Sequence, residues 1–501
     1  MSIVLDKLKL NNFQIYICIF ILIVILRLPF FFTDVFDWDE STYILQGQWI
    51  VDGNLTYLNR TAVKPPLLYY LYSSFVYFSF GEISLIRFYG CFLLLINFIF
   101  LNKIFKECFN KNFDIILITS FIFSSTYIIK DSNALFSENF AVTFLLISLN
   151  YFINLKKNTD FFFLGLFLSC ACLTRLNLGI LPIIIFIYLL LRFKTDTKDL
   201  IIKLSIYSFG GISLAFIVLL PYIVSDNIIS VWNSTIVSGF SMAKNAPYSY
   251  FGTIYSLLFQ KSDLFNLFNF ESIFRLIFWI SSFIGFLILI LNYKNEKNIK
   301  IIIFFITIFL SIIFGGRSPP HYLILINSIC SIFVAFLFIF INHNLYYLRV
   351  YILSLAMCFI VSLFQYVEIL KNYKINQTFY NGLGFEIASH IKSKKNDNYK
   401  IYIHRNHIAY WFLDKYPPTD ITHPSDINKE YLFIGWNKKN SNKQIEMKKI
   451  MDERPTYLVL NNDISTFIKN FFPMSSIEYK KTISNYTFDK KIDYMYIYKI
   501  K

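Results

Sequence analysis

The sequence predicts a mainly α-helical, polytopic membrane protein with a small α/β domain at its carboxyl-terminal end. Three observations predict this fold class. Of the 501 residues, 56% are hydrophobic, and the mean hydropathy of +0.51 is far above that of soluble globular proteins. Long runs of Ile, Leu and Phe recur along the chain as far as residue 370. From residue 371 onward the runs shorten and polar residues return, which leaves about 130 residues for a domain with its own core.

About eleven apolar runs are long enough, or nearly so, to cross roughly 30 Å of hydrocarbon as a helix. No small-x-small cleavage site follows the first run, so we expect a retained membrane anchor and not a cleaved signal peptide. The transmembrane helices are predicted at residues 13–32, 84–101, 113–129, 138–154, 161–174, 178–193, 203–224, 273–292, 300–314, 321–341 and 350–370.

The charges of the loops predict the orientation of these helices, because Lys and Arg are enriched in the cytoplasmic loops of membrane proteins. If the apolar segment 65–80 lies on the membrane surface, four basic loops fall on the amino-terminal, cytoplasmic side. We therefore expect this segment, which opens with two prolines suited to a helix start, to be an interfacial or re-entrant helix in the first external loop. The basic loops contain Lys103, Lys106, Lys111, Lys156, Lys157, Arg192, Lys194, Lys198, Lys203, Lys294, Lys297 and Lys300.

This topology predicts a multi-pass protein of the plasma (inner) membrane. Its membrane domain spans residues 1–370 and has two long external loops, at 33–83 and 225–272. Residues 371–501 are expected to form an external, periplasmic α/β domain. Alternating apolar residues predict strands within 399–405 and 455–462, and a helical pattern lies at 381–395.

The net charge of +15 does not indicate a nucleic-acid partner, because the basic residues lie mostly in short loops, where membrane topology accounts for them. The seven cysteines lie almost entirely in apolar runs and show neither metal-ligand spacing nor a disulfide framework. His404 and His407 of "HRNH", together with His423, are expected to be structural or exposed and not to bind a metal.

The first external loop carries the residues best suited to chemistry. Asp39 and Glu40 lie within a helical apolar pattern at the membrane interface, where carboxylates are partly desolvated. Adjacent residues on a helix point about 100° apart, so only one of the two acids faces a given site. A solvated loop without function is the alternative for these acids. Lys64 follows in the same loop, directly before two prolines.

Three motifs together resemble a known family. They are "DWDESTY" at 37–43, "KPPLLYY" at 64–70 and "GGRSPPHYLI" at 315–324. The chain resembles the polyprenol-phosphate-sugar-dependent membrane glycosyltransferases of the GT-C fold, of the protein O-mannosyltransferase and aminoarabinose transferase type (glycosyltransferase family 39-like). The resemblance covers roughly residues 13–340 and is closest over 64–225. It implies transfer of a sugar from a polyprenyl-phosphate donor to a lipid, glycan or protein acceptor at the outer face of the membrane.

The resemblance also implies roles for individual residues. The acid pair Asp39 and Glu40 supplies the base that activates the acceptor, with Asp39 the matching position, and Glu138 is a second external acid near the site. The donor phosphate is met by Lys64, Arg317, His321, Tyr322 and Arg175. Relatives that bind a metal place an acid directly before the lysine. Here that residue is Val63, so the sequence does not support a divalent metal and indicates no other cofactor.

Each assignment has a structural alternative. Lys64 could extend to the interface from an apolar surface, and Glu138 could stabilise the start of its helix. Arg87 and Arg175 could be interface anchors. For the whole chain, the alternatives are a flippase or carrier for a lipid-linked sugar and a non-catalytic scaffold in envelope assembly. A carrier should place ionisable residues near mid-membrane, and the predicted span interiors contain almost none, with Arg27 as the main exception.

Overall fold

The structure is a computed structural model that describes residues 11–128, 130–192, 197–256, 270–292, 295–317, 319–341, 345–394, 398–438 and 440–501. Residues 257–269 of the predicted external loop, Ser318 of the third motif, and the loop residues Lys194 and Lys294 therefore lie outside the described residues.

The chain packs as two compact units, and each unit is built from segments that are not consecutive in the sequence. The first unit comprises Met1–Phe31, Ser84–Leu220 and Ala246–Glu368, and the second comprises Phe32–Ile83, Pro221–Asn245 and Ile369–Lys501. Most of the predicted first external loop thus packs in the same unit as the carboxyl-terminal region. The division at residue 371 into a membrane domain and an external domain stays a prediction.

The prediction of a mainly helical polytopic membrane protein is confirmed. Each of the eleven predicted segments corresponds to an apolar helix of the described chain. By length and composition, seven can cross a membrane: Asn12–Phe32, Ile83–Phe109, Thr197–Val224, Ser272–Leu291, Glu296–Phe314, Pro320–Phe340 and Ile352–Asn376. Four are shorter: Ile115–Thr126, Ser137–Ile153, Asn158–Thr174 and Leu176–Arg192. Eleven crossings therefore stay a prediction.

Glycines allow the helices of the first unit to pack closely. A Cβ atom added to Gly165 would overlap the carbonyl oxygen of Tyr207, and one added to Gly210 would overlap that of Phe162. Ser169 Oγ donates a hydrogen bond to Gly211 O across the same contact, at 3.0 Å. In a membrane, where lipid is as apolar as Leu, such close backbone contact is a main source of helix association.

Two arginines of the first unit satisfy backbone carbonyls. Arg27 is 3% exposed, and its Nη2 donates to Ser132 O at 2.9 Å. Arg87 is 1% exposed, and its Nη1 donates to Phe30 O at 3.1 Å and to Phe31 O at 3.3 Å. These carbonyls belong to the 3-10 turn Leu28–Phe32 that follows the first helix. The interpretation of Arg87 as an interface anchor is therefore wrong, because its guanidinium is buried against a chain turn.

The second unit contains the predicted α/β structure. Four strands form one sheet in the order β1-β2-β4-β3, with β1 parallel to β2 and the other neighbours antiparallel. They are β1 Ile401–Ile403, β2 Tyr457–Leu460, β3 Tyr486–Ile492 and β4 Met495–Ile500. The two predicted strands are confirmed as β1 and β2, and the predicted helix as Leu383–Lys392. The β3–β4 hairpin was not predicted. The helices of this unit are Trp38–Val51, Pro66–Phe78, Ile228–Trp232, Ser238–Lys244, Leu383–Lys392, Ala409–Leu413, Lys443–Asp452, Ile464–Lys469 and Ile477–Asn485.

The segment predicted to be the first external loop is tied to the carboxyl-terminal region by backbone and side-chain hydrogen bonds. Thr61 N donates to Asp420 O at 2.7 Å, and Thr61 pairs with Ile421 in a parallel bridge. Gln46 Nε2 donates to Thr422 Oγ1 at 2.7 Å. These contacts fix both the helix Trp38–Val51 and the segment that leads to Lys64.

Candidate functional site

The acidic stretch that opens the second unit holds four acids with different surroundings. Asp34 is 4% exposed, and its Oδ2 accepts hydrogen bonds from Gly384 N at 2.5 Å and Phe385 N at 3.1 Å. These donors belong to the first turn of the helix Leu383–Lys392, where backbone N–H groups have no partner within the helix. Asp37 caps the helix Trp38–Val51, with Oδ1 accepting from Asp39 N at 2.8 Å. Both of these acids therefore stabilise helix starts.

Asp39 is an acid that solvent or a substrate can reach. Its side chain is 34% exposed, and its Oδ2 lies 3.9 Å from Lys64 Nζ, whose side chain is 18% exposed. Tyr43, one turn later on the helix, donates its hydroxyl to Asp39 Oδ2 at 2.9 Å. Glu40, the next residue, is 1% exposed and faces the interior of the unit. As expected for adjacent helical residues, only one acid of the pair points outward.

The backbone at Lys64 is held rigidly. Lys64 N donates to the Tyr69 hydroxyl at 3.3 Å, and the Tyr57 hydroxyl donates to Lys64 O. Burial raises the pKa of both tyrosines, so their hydroxyls stay neutral near pH 7. Pro65 is the N-cap and Pro66 the first residue of the helix Pro66–Phe78, so the helix expected within 65–80 is present, and its interfacial or re-entrant position stays a prediction. The lysine therefore projects from a fixed backbone toward Asp39.

The carboxyl-terminal region contributes side chains to the start of the Asp39 helix, the helix Trp38–Val51. His407 Nε2 lies 2.9 Å from Thr42 Oγ1. The Arg405 guanidinium lies 5.0 Å from the centre of the Trp38 ring, a cation–π contact, and the His423 ring lies 6.1 Å from it. No local pattern in the sequence indicates these contacts, because the residues lie more than 360 positions away along the chain.

The other predicted site residues belong to the first unit, where the buried Arg175 and His321 and the half-buried Tyr322 form a cluster with the buried Glu138. Arg175 Nη1 makes an ion pair with Glu138 Oε1, and His321 Nε2 lies 3.5 Å from the same oxygen. Ser137 Oγ donates to Glu138 Oε2 at 2.9 Å. The Arg175 guanidinium lies 4.4 Å from the centre of the Tyr322 ring. We call these residues the Glu138 cluster.

Burial distinguishes the Glu138 cluster from the Asp39–Lys64 pair. Glu138, Arg175 and His321 are 1%, 4% and 7% exposed, and the His321 ring stacks on Phe136 with centroids 4.6 Å apart. An interface anchor would hold its charge in water, so that alternative for Arg175 is wrong. Glu138 does lie in the first turn of its helix, Ser137–Ile153, but its carboxylate is also the partner of a buried guanidinium.

Arg317 lies in the turn between the helices Glu296–Phe314 and Pro320–Phe340 and is partly exposed. Gly316, just before it, has a φ of +60°, and a Cβ there would come 2.6 Å from Ala246 Cβ. A glycine is thus required for the turn that carries Arg317. His321 and Tyr322, which follow in the same motif, join the Glu138 cluster.

The residues beside Lys64 do not fit a divalent metal. Val63 packs against the apolar core cluster that contains Phe433 and Trp436, and it offers no ligand atom. Among the described residues there is no group of three or more His, Cys, Asp or Glu side chains that could hold a metal ion. We therefore derive no step of the chemistry through a metal.

Comparison with known proteins identifies the fold. The sequence profile described as dolichyl-phosphate-mannose-protein mannosyltransferase matches residues 63–224, a range that includes Lys64, Glu138 and Arg175. The structure of ArnT from Cupriavidus metallidurans in the apo state superimposes with a TM-score of 0.63 at 11% identity, covering 97% of this chain and 98% of that one. The chain has the GT-C fold. The fold expected from the three motifs is confirmed.

A further GT-C structure is similar at lower score. The archaeal oligosaccharyltransferase AglB from Archaeoglobus fulgidus, in complex with an inhibitory peptide and a dolichol-phosphate, matches with a TM-score of 0.49 and 12% identity. The match covers 95% of this chain and 72% of that one. A comparison with curated protein sequences gives no match.

Proposed function

We propose that the protein is an integral membrane glycosyltransferase that moves a sugar from a polyprenyl-phosphate donor to an acceptor hydroxyl at the outer face of the membrane. The observation that carries the proposal is the Asp39–Lys64 pair, in which an accessible carboxylate lies 3.9 Å from a cation on a rigid backbone. The GT-C fold and the mannosyltransferase profile over residues 63–224 support the same reaction class.

The chemistry requires both groups. As the acceptor oxygen bonds to the anomeric carbon, the bond from that carbon to the phosphate oxygen breaks, and the phosphate leaves with the bonding electrons. Positive character develops on the sugar and negative charge on the phosphate, so the site needs a carboxylate near the former and cations near the latter. Asp39 accepts the proton of the attacking hydroxyl, and Lys64 stabilises the leaving phosphate. A single displacement inverts the configuration at the anomeric carbon.

The geometry of the pair suits an exchange of partners. A partly solvated ion pair at this separation is worth only about 0–1 kcal/mol. Lys64 can therefore move from Asp39 to a donor phosphate at little cost, and Asp39 can then accept a proton. Tyr43 remains to orient the carboxylate through its hydrogen bond to Oδ2.

The predicted site residues of the first unit are included in the proposal for two reasons. The resemblance implies roles for them, and most of them belong to the Glu138 cluster. As the resemblance implies, we propose that Arg317 also binds the donor phosphate, together with the side chains of Arg175, His321 and Tyr322. Glu138 contacts both Arg175 and His321 and therefore orients their side chains. Arginine binds phosphate through two parallel hydrogen bonds, whereas lysine acts as a point charge.

The test compares variants of the purified protein in nanodiscs, supplied with a panel of polyprenyl-phosphate sugars and a membrane extract as acceptor. Asp39→Asn and Lys64→Ala should each abolish transfer while the protein stays folded. Asp52→Asn is the matched control, because Asp52 is a carboxylate at the far end of the same helix, hydrogen-bonded by Gln48 Nε2 at 2.7 Å. It should transfer like wild type.

Two results would overturn the proposal. Transfer by the Asp39 and Lys64 variants at the wild-type rate would show that this pair is not the site. Movement of labelled donor across a sealed bilayer without consumption of any donor would instead establish the carrier alternative.

A further inference from the structure

The histidine His407 makes a side-chain contact with the helix that carries the proposed base. Its Nε2 lies 2.9 Å from Thr42 Oγ1, and that hydroxyl donates to Trp38 O at 2.9 Å. A hydroxyl has one proton and a carbonyl can only accept, so Thr42 must accept from His407, and Nε2 carries the imidazole proton. Trp38 and Thr42 are successive residues of one helical face, and Asp39 lies between them.

The imidazole is suited to a fixed structural contact. His407 is 1% exposed. Burial lowers its pKa well below the ordinary value, and the neighbouring His423 adds to this, while a hydrogen bond to the Trp38 backbone and the charge of Asp39 act in the opposite direction. The ring of His423 lies 5.0 Å away and itself faces Asp426, with His423 Nδ1 3.7 Å from Asp426 Oδ1. His407 is therefore neutral near pH 7 and has a single N–H, which it donates to Thr42.

The contact determines where the Asp39 carboxylate points. Asp39 belongs to the first turn of its helix, where backbone N–H groups have no partner within the helix, so the Asp37 cap and side-chain contacts hold the chain in place. A bond to Thr42, reinforced by the Thr42 bond to Trp38, holds this turn against the loop that follows β1. Displacing a reacting group by about 1 Å can cost on the order of 100-fold in rate.

We propose that His407 is a positioning residue for the base Asp39, so that the carboxyl-terminal region supplies part of the active site. The inference rests on the proposed function, since it assigns the orientation of the same carboxylate. His407 does not contact substrate in this role; it acts through Thr42 on the first turn of the Asp39 helix.

The experiment measures kcat, the KM for the donor and the melting temperature for wild type, His407→Ala, His407→Gln and Thr42→Val. His407→Ala should lower kcat by about 10- to 100-fold with little change in the donor KM, because the base is displaced but the phosphate contacts stay. His407→Gln should recover most of kcat, because its amide can donate from a similar position. The double variant His407→Ala/Thr42→Val should be no slower than the slower single variant, because both remove one contact.

His404→Gln is the matched control. His404 is a buried histidine of the same unit whose Nδ1 is hydrogen-bonded with the Tyr402 hydroxyl at 3.2 Å and whose ring packs on Phe467. It should change the melting temperature but not kcat. If both histidine variants lose kcat in proportion to stability, or if His407→Ala keeps the wild-type kcat, the inference is wrong.

The outcomes separate this inference from the proposed function. Absence of transfer by wild type with every donor contradicts the proposed function. Transfer by wild type, loss in Asp39→Asn and full retention in His407→Ala contradict the inference alone. If His407→Ala does not fold, Thr42→Val decides, since it removes the same contact with a residue of similar volume and should show the same loss of kcat.

Discussion

Lys64 Nζ lies 3.9 Å from Asp39 Oδ2, at the limit of an ion pair, while the backbones of both residues are fixed by neighbouring hydrogen bonds. A pair of this kind contributes little to stability, because both side chains are partly solvated. Its components are nevertheless held in place, since the helix cap Asp37 and the tyrosines around Lys64 determine where the two backbones lie. Rigid supports under a weak contact are typical of a site whose groups must change partners.

Substitutions in the Asp39–Lys64 pair should lower activity strongly and stability only slightly. Asp39→Asn should lower kcat by roughly 10²- to 10⁴-fold, the usual range for loss of a general base. Lys64→Gln should raise the donor KM and lower kcat, because the phosphate is bound in both the ground state and the transition state. Neither should change the free energy of unfolding by more than about 1 kcal/mol. Steady-state kinetics and thermal unfolding in detergent check both statements. A loss of several kcal/mol in either variant would contradict this account.

For substitutions of Asp34 we expect the reverse, namely a loss of stability without a loss of activity. Asp34→Ala removes the carboxylate that accepts from Gly384 N and Phe385 N, and it should destabilise the second unit by about 1–3 kcal/mol, because those donors are then buried without a partner. Transfer per folded molecule should be unchanged. Gly382→Ala should also destabilise, because Gly382 has a φ of +125° and an added Cβ would overlap the Asp34 carboxylate.

The Asp34 variants are checked by chemical denaturation, with transfer measured on the folded fraction. Asp37→Ala is the comparison, because it removes the cap of the helix Trp38–Val51 and should cost about 1 kcal/mol. A loss of transfer per folded molecule in Asp34→Ala would show that this acid takes part in the chemistry.

The helices and their approximate ends were predictable from hydropathy, because an apolar run of sufficient length is a strong local signal. The helix start at Pro65 and Pro66 and the strands β1 and β2 were predictable for the same kind of reason. The β3–β4 hairpin was not. In β3 the exposed residues include Lys490 and Lys491, so the strand lacks the regular alternation that marks one buried face.

The candidate site was only partly predictable. Asp39 and Lys64 are recognisable in the sequence because these charged residues and their neighbours differ from the otherwise apolar chain. The contact of His407 with Thr42 joins residues 365 positions apart, and no periodicity carries information on such a pairing. The resemblance indicated Glu138, Arg175, His321 and Tyr322 as separate site residues, but no pattern predicted that they contact one another or that Glu138 is buried. Val63 departs from the family pattern. The structure explains this residue, because its side chain packs against the apolar core cluster.

The Glu138 cluster predicts non-additive effects on stability. Arg175→Met leaves the Glu138 carboxylate buried without its guanidinium, and Glu138→Gln leaves the guanidinium without its carboxylate. Each should destabilise by about 3–5 kcal/mol. The double variant Glu138→Gln/Arg175→Met should be more stable than either single variant, because no unpaired charge remains. Thermal unfolding in detergent measures all four proteins. Purely additive losses would mean that the ion pair does not determine their stability.

Buried histidines predict a pH dependence of the second unit. Burial lowers the pKa of His404 from 6.5 to about 4, with the charges of Arg405 and His423 contributing. Between pH 6.5 and 4 the unfolded chain therefore binds more protons at this residue than the folded chain does. Its contribution to stability is complete above pH 6.5 and is lost as the pH falls toward 4, by about 3 kcal/mol in all. Denaturation of wild type and His404→Gln at a series of pH values measures the difference. The stability of wild type should fall more steeply than that of the variant between pH 6.5 and 4, and parallel curves would show that folding does not lower the pKa of His404.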